Sequence, residues 1–327
     1  MKKIVLYVFI LVLPAFIAFL GLNFAYKQTN HWKAAYYNVD RFNHVPTGIK
    51  VCNIGTSHGC WGLKWEDYPE LNAFNFANSA QSFYMDLIML KHFKSKIAED
   101  AIVLIPLSFH QVFSYWNIWT ESPNGEAYYK ELYQHFLYKQ EFPYWDSALY
   151  IKGVLFPIIN FPVIATIFND ISEEEISRFY GKDGIFKKYL SEENMKMNID
   201  QTAIFWFFGC NEKIEEKSFQ KNIDAVCKIV DYCHENSWNP VFITLPVYDY
   251  FYEAFDEKAK FIKKGFYEFS TLLCEKYPDI PYFDYSHDSQ FSPNIKLFKD
   301  ADHLNNVGAE RFTARIITDL RKNGYLY

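Results

Sequence analysis

Several common patterns are missing from this sequence. Its six cysteines (Cys52, Cys60, Cys210, Cys227, Cys233 and Cys274) form no CxxC pair and no tight framework, which argues against a zinc site and leaves most of them as small buried hydrophobes. One disulfide is open to an exported chain, but the spacing does not name it. The formal net charge is −6 at pH 7. With no basic stripe, that excludes the electrostatic footprint of a nucleic-acid surface. There is no internal repeat, no low-complexity linker, and only one apolar run long enough to span a bilayer.

The chain has 327 residues, of which half are apolar and 22% charged. This is a globular composition, long enough for one large α/β domain with a big insertion or for two smaller domains. Aromatic residues are abundant, at 20% of the chain, with 32 Phe, 25 Tyr and 8 Trp. Two readings stay open: an A+T-rich gene, or a surface facing sugar or lipid.

Lys2 and Lys3 precede an uncharged apolar run over residues 4–22. At 1.5 Å per residue it spans about 28 Å, close to the hydrocarbon thickness of a bilayer. The two lysines predict a cytoplasmic start and an exported remainder. The flank 19–25 offers no small-x-small cleavage site, so the expectation is an uncleaved signal anchor over residues 1–24. Pro14 is tolerable in such a helix. Residues 25–48, polar and aromatic, read as a stalk.

From residue 49 onward, strands and helices alternate. Residues 49–54, 73–77, 101–106, 240–244 and 282–285 read as strands; 83–97, 219–236, about 253–276 and 306–323 read as helices. The continuous apolar run 101–106 is typical of a strand buried on both faces of a parallel sheet. The pattern predicts a three-layer α/β/α sandwich with a mostly parallel, flavodoxin-like sheet. The rhythm breaks over about 110–215, a stretch rich in Tyr, Phe and Trp. It reads as a large aromatic insertion at the carboxyl end of the third strand, where ligands of such sheets bind. Glu173, Glu174 and Glu175 look like a helix start. Asn305 or Asn306 can cap the last helix, which ends at Gly324.

Two short stretches carry the chemistry. Asn53-Ile54-Gly55-Thr56-Ser57-His58-Gly59 ends the first strand in a tight turn that lifts Ser57 to the sheet rim. Lys299-Asp300-Ala301-Asp302-His303-Leu304-Asn305 places His303 three residues after Asp300, ahead of the last helix. A serine needs a base to become a nucleophile, and the base needs a carboxylate to fix its tautomer. Asp300, Asp302 and His303 could instead be metal ligands, but no second His/Asp cluster is evident to complete a shell. Asp302 reads as a helix-start residue and His58 as a structural or pocket residue. His92, His135, His234 and His287 read as surface or satisfied histidines.

On these two motifs the chain resembles the SGNH (GDSL-like) hydrolase superfamily, and within it the membrane-anchored surface-polymer branch, DltD-like and polysaccharide O-acetyltransferase-like. The resemblance covers residues 49–109 and 219–320, within an SGNH-like domain 49–327. It places the family's Gly-Asp-Ser turn on Gly55-Thr56-Ser57, with Thr56 in place of the aspartate, and its Asp-x-x-His on Asp300 to His303. The roles implied are Ser57 as nucleophile, His303 as base and Asp300 as its orienting acid. The oxyanion donors implied are the N–H groups of Ser57 and of Ala80, which stands where the family has glycine. The family's asparagine after the third strand is absent, so Ser108 or His110 is the candidate third donor. The function implied is a serine-dependent acyl-esterase or acyltransferase, without cofactor or metal, acting on O-acyl groups of a polysaccharide or teichoic acid. The implied location is a single-pass cell-membrane protein with an extracytoplasmic catalytic domain. A multi-pass membrane O-acyltransferase is an implied partner. The rival reading is a catalytically silent envelope protein that binds glycan or partners such a transferase.

Overall fold

A computed structural model describes residues 2–35, 41–112, 130, 133–159, 164–170, 172, 191–209, 212–258, 260–300 and 302–326. The expected helix start at 173–175, Cys210 and much of the aromatic stretch 110–215 lie outside these residues. The chain divides into two compact units: Met1–His44 with Ala127–Ile185, and Val45–Glu126 with Phe186–Tyr327.

In the first unit, α1 (Lys2–Gln28) is the long element. The expected transmembrane anchor over residues 1–24 is overturned: no helix among the described residues is long and apolar enough to cross a membrane. The last turns of α1 are polar and serve the fold. The Asn23 amide donates to the Leu155 carbonyl at 2.9 Å and the Lys27 ammonium to the Val154 carbonyl at 2.8 Å, while Tyr26 is buried. Thr29 then breaks the helix by donating its hydroxyl to the Tyr26 carbonyl. The next short helix, Asn30–Ala35, starts with the Asn30 and His31 N–H groups on the Asp170 carboxylate. The segment expected as a stalk therefore contains helical structure within this unit.

The second unit is built on five parallel strands: β1 (Ile49–Asn53), β2 (Ala73–Asn75), β3 (Ile97–Pro106), β4 (Asn239–Thr244) and β5 (Tyr282–Asp284). Their order is β2-β1-β3-β4-β5, every neighbouring pair being parallel. This is the flavodoxin-like order, in which the chain reverses its direction of travel across the sheet at β1/β3 and opens a crevice at the strands' carboxyl ends. Right-handed crossovers on either side of that reversal put helices on opposite faces. One face carries α2 (Ser57–Gly62) against α8 (Asn306–Lys322). The other carries α3 (Phe83–His92), α5 (Glu212–Glu235) and α7 (Lys260–Lys276), with α5 packed on both α3 and α7. Two further helices, α4 (Glu192–Gly209) and α6 (Asp249–Lys258), contact each other.

The apolar runs explain the core. Val51, Cys52, Ile102 to Ile105 and Val241 to Ile243 are all at or below 3% exposure, and each large side chain so buried contributes about 1.5–3 kcal/mol. β3 begins at Ile97, four residues before the expected start. Exposed Glu99 and Asp100 interrupt its apolar pattern, Asp100 takes a left-handed φ of +60°, and the β1–β3 register shifts there. The helix expected over 253–276 is matched by Asp249–Lys258 and Lys260–Lys276, residue 259 between them lying outside the described residues. Asn305 caps α8, its Oδ1 accepting from the Gly308 N–H at 3.0 Å.

Candidate active site

The turn after β1 is shaped by its backbone. Gly55 has φ +115°, a conformation that L side chains rarely adopt, and a Cβ there would meet Pro106 of β3 at 3.2 Å. Ser57 then opens α2 with Thr56 as N-cap in extended conformation. The first-turn N–H groups of a helix have no carbonyl within it to bond, so the turn presents donors beside the Ser57 hydroxyl. α2 is held down by Asn53 and Asn75. The Asn53 amide donates to Asn75 Oδ1 at 2.8 Å, the Asn75 amide to the Gly59 carbonyl at 2.9 Å, and the Trp65 indole to Asn53 Oδ1 at 2.7 Å.

From beneath, Asp86 of α3 ties the turn to the loop after β2. Its Oδ1 accepts from the Gly55 N–H at 2.8 Å and from the Gln81 amide at 2.6 Å. Burial pushes this carboxyl up to about 7, against the lowering effect of the Gln81 and Gly55 hydrogen bonds. Next to Gln81, Ala80 sits at φ +60°, the left-handed conformation that glycine would adopt without strain.

The second stretch is organised by one oxygen. Asp300 Oδ1 accepts from the His303 N–H at 2.9 Å, from the Asp302 N–H at 3.3 Å and from His303 Nδ1 at 2.8 Å. The carboxylate therefore folds the turn and orients the ring together. His303 Nε2 lies 2.8 Å from Ser57 Oγ, across 246 residues of chain. Ser57, His303 and Asp300 are thus brought into one hydrogen-bonded line, with Ser57 the donor to Nε2 when Nδ1 carries the ring proton.

Asp302, read from the sequence as a helix-start residue, and His58, read as a structural or pocket residue, stand in the same cluster. Asp302 Oδ1 lies 3.1 Å from His303 Nδ1 and Oδ2 lies 3.2 Å from His58 Nε2, with its side chain 13% exposed. The His58 ring is stacked on that of His303, and its Nδ1 is hydrogen-bonded to the Ser108 hydroxyl at 3.0 Å. The hydroxyl expected as an oxyanion donor therefore rests on an imidazole. Among the described residues, His58, Asp302 and His303 are also the grouping whose ligand atoms could converge on a metal. In the structure those atoms face one another instead, as two rings about one carboxylate.

Charge follows from this geometry. Burial disfavours the His303 imidazolium, but Asp302 and then Asp300 outweigh it and lift the ring to about 10. Burial would raise Asp302, yet His303 and His58 hold its carboxyl well below the usual range. Lys299, at the rim, places its ammonium 4.6 Å over the Trp61 ring and 3.9 Å from Asp300 Oδ2. Burial lowers its proton affinity, while Asp300 and Asp302 act the other way.

The side chain of His110, the other candidate donor, lies outside the described residues. His234 and His287 are exposed and His92 is half-buried. His135 belongs to the first unit, where burial and then Lys27 lower it to about 4. Cys52, Cys60, Cys227, Cys233 and Cys274 are free thiols.

No family model matches the chain, and no curated protein does. Among solved structures it is similar to a candidate acylhydrolase from Bacteroides fragilis NCTC 9343, with 12% identity and a TM-score of 0.40 over 87% of this chain and 94% of that one. It is also similar to a GDSL-like lipase from Bacteroides thetaiotaomicron VPI-5482, with 12% identity and a TM-score of 0.37 over 90% and 98%. What this chain can do chemically follows from its own side chains.

Proposed function

We propose that this protein is a serine-dependent acyl-esterase or acyltransferase that works through an acyl-enzyme. The observation that carries this is the line Ser57 Oγ, His303 Nε2, His303 Nδ1, Asp300 Oδ1, with 2.8 Å at each of its two hydrogen bonds. In this mechanism His303 takes the Ser57 proton as the hydroxyl oxygen attacks an ester carbonyl, and Asp300 fixes the tautomer and stabilises the imidazolium. The backbone N–H groups of Ser57 and Ala80 hold the tetrahedral oxyanion, a donor being worth about 3–4 kcal/mol of barrier. His303 returns the proton to the departing alcohol. Water or a second hydroxyl then enters by the same route in reverse and releases the acyl group.

The substrate we assign is an O-acylated polysaccharide or teichoic acid of the cell envelope, which would put the catalytic unit outside the cytoplasm and make a membrane-bound O-acyltransferase a natural partner. What supports the carbohydrate acceptor is the aromatic wealth of the chain, including Trp61 four residues after the nucleophile.

A fluorophosphonate probe tests the mechanism. Labelling that Ser57→Ala abolishes and His303→Ala reduces by roughly 10³-fold or more is the expected result. No labelling from pH 6 to 10 would leave a silent glycan-binding protein as the better account.

A further inference from the structure

We propose that Asp302 is a second supporting carboxylate for His303, held in place by His58, so that the base does not depend on Asp300 alone. This deepens the serine-acyl reading and rests on it. The grounds are geometric. His303 Nδ1 has two carboxylates within reach, Asp300 at 2.8 Å and Asp302 at 3.1 Å. The two are not equivalent. Asp300 is 34% exposed and shares its charge with water and with Lys299, whereas Asp302 is 13% exposed.

A carboxylate taken this far out of water is unfavourable by several kcal/mol unless cationic or N–H partners surround it. Asp302 has an imidazole on each oxygen, His303 at Oδ1 and His58 at Oδ2. Ser108 lies at 3.0 Å on the far side of His58, and in the tautomer where its hydroxyl donates to Nδ1 the proton of the neutral ring is on Nε2, the nitrogen 3.2 Å from Asp302 Oδ2. The carboxylate is thereby held in one orientation by a buried brace, His58 being 6% exposed and Ser108 4%.

What Asp302 gains is greatest at the moment of reaction. While His303 is neutral, the contact is one between a dipole and a charge. When the ring accepts the Ser57 proton, the contact becomes an ion pair in a poorly hydrated site. An interaction stronger in the transition state than in the ground state accelerates the reaction. Among the described residues, the other charged or titratable groups shown acting on or stacked against the ring are Asp300 from its own turn and His58 from α2, with Lys299 3.9 Å from Asp300. Asp302 is a positioning residue in this account, since it acts through His303.

The test is a double-mutant cycle on the full chain, with p-nitrophenyl acetate hydrolysis as the rate and the His303 ring titrated by NMR in protein carrying labelled histidine. A triad that relies on one carboxylate loses roughly 10⁴-fold when that acid is removed. Here, for the limiting kcat/KM reached above the His303 pKa, Asp300→Asn is expected to lower the rate by about 10²-fold or less and Asp302→Asn by about tenfold. The double variant is expected to lose roughly 10⁴-fold or more, beyond the product of the two. Asp302→Asn lowers the pKa of His303 by more than one unit, and the shift falls below half its size in a His58→Gln background. Asp300→Asn alone matching the double variant, or an unmoved His303 titration in Asp302→Asn, overturns the proposal. Thermal midpoints show that the variants are folded. Ser57→Ala separates the two levels: hydrolysis that survives it defeats the serine-acyl reading, while the ring titration still decides the role of Asp302.

Discussion

The imidazole of His58 lies stacked on that of His303, ring centroids 4.8 Å apart and planes inclined by 29°. A protonated His303 ring stacked at that separation is favoured by a nearby negative charge. Asp302 supplies that charge from the edge of both rings. The residue that follows Ser57 is thereby coupled to the imidazole that faces its hydroxyl, although its sequence position says nothing of this.

A base held near pKa 10 gives the activity an alkaline dependence. Below that value His303 is an imidazolium and cannot accept the Ser57 proton, so ester hydrolysis is expected to keep rising from pH 7 to about 10. An imidazole near its ordinary value would level off above about 6.5. Stability runs the other way. A pKa raised on folding contributes stability that is complete below the unfolded value and is lost as pH rises through the folded one. The pH profile of kcat/KM and urea midpoints at the same pH values check both limbs. A rate already flat by pH 7.5 would contradict this account of the charge.

Ala80 offers a test of the oxyanion loop. A left-handed φ of +60° is about 1–2 kcal/mol unfavourable for an L residue, and glycine forfeits roughly 0.4–1 kcal/mol through its freer unfolded chain. Ala80→Gly is therefore expected to be neutral or to stabilise by up to about 1 kcal/mol, with hydrolysis unimpaired because the N–H is unchanged. Ala80→Val, branched at a carbon already crowded in this conformation, should lower both stability and rate. Urea midpoints and p-nitrophenyl acetate rates distinguish the pair. Strong destabilisation by Ala80→Gly would mean that the loop conformation is not the one described.

Gly59 tests how tightly α2 must sit. A Cβ there would lie 2.8 Å from the Ile54 carbonyl oxygen and 3.1 Å from the Ala77 Cβ. Both are fixed parts of the sheet's edge, so the helix must move to make room. Overpacking of this kind is unfavourable by about 1–3 kcal/mol. Because the same helix begins with Ser57, Gly59→Ala should also slow fluorophosphonate labelling by roughly tenfold or more, since small misplacements of reacting groups are costly. Unchanged labelling with reduced stability would show that Ser57 is positioned independently of α2.

The sequence made legible those parts whose physics is local. Residues 49–53, 102–105 and 240–244 lie in strands because apolar runs of that length are buried on both faces of a parallel sheet. Asn305 caps α8 through a short polar side chain, as its position suggested. The Asp300-x-x-His303 spacing is itself a folded unit, since one carboxylate oxygen closes the turn and reaches the ring. The roles of His58 and Asp302 were not legible. His58 reaches Asp302 and the His303 ring only through the meeting of two segments from opposite ends of the chain, which neither spacing nor periodicity records, and the contact of Asp302 with its neighbour His303 depends on how their turn folds. The expected anchor over residues 1–24 does not hold, since no helix among the described residues is long and apolar enough to cross a membrane.

Asp86 was likewise invisible, a lone acid in a predicted helix, and it gives the last prediction. The side chain is fully buried; Oδ1 takes both hydrogen bonds, while Oδ2 has no partner. A proton on Oδ2 leaves Oδ1 as a carbonyl acceptor, so the neutral acid suits its surroundings better than the carboxylate. With the folded value near 7 against an ordinary 3.8, the folded protein binds the extra proton between those values. Stability must then fall as pH rises from about 4 to 7, by an amount on the order of 4 kcal/mol at 1.36 kcal/mol per unit. Asp86→Asn keeps the Oδ1 acceptor and cannot ionise, so its contribution to stability should be flat over this range and the difference between the two proteins should grow with pH in favour of the variant. Urea midpoints at pH 4.5, 5.5, 6.5 and 7.5 measure that difference. Parallel curves would show that the carboxyl ionises without penalty and that water reaches it beneath the nucleophile turn.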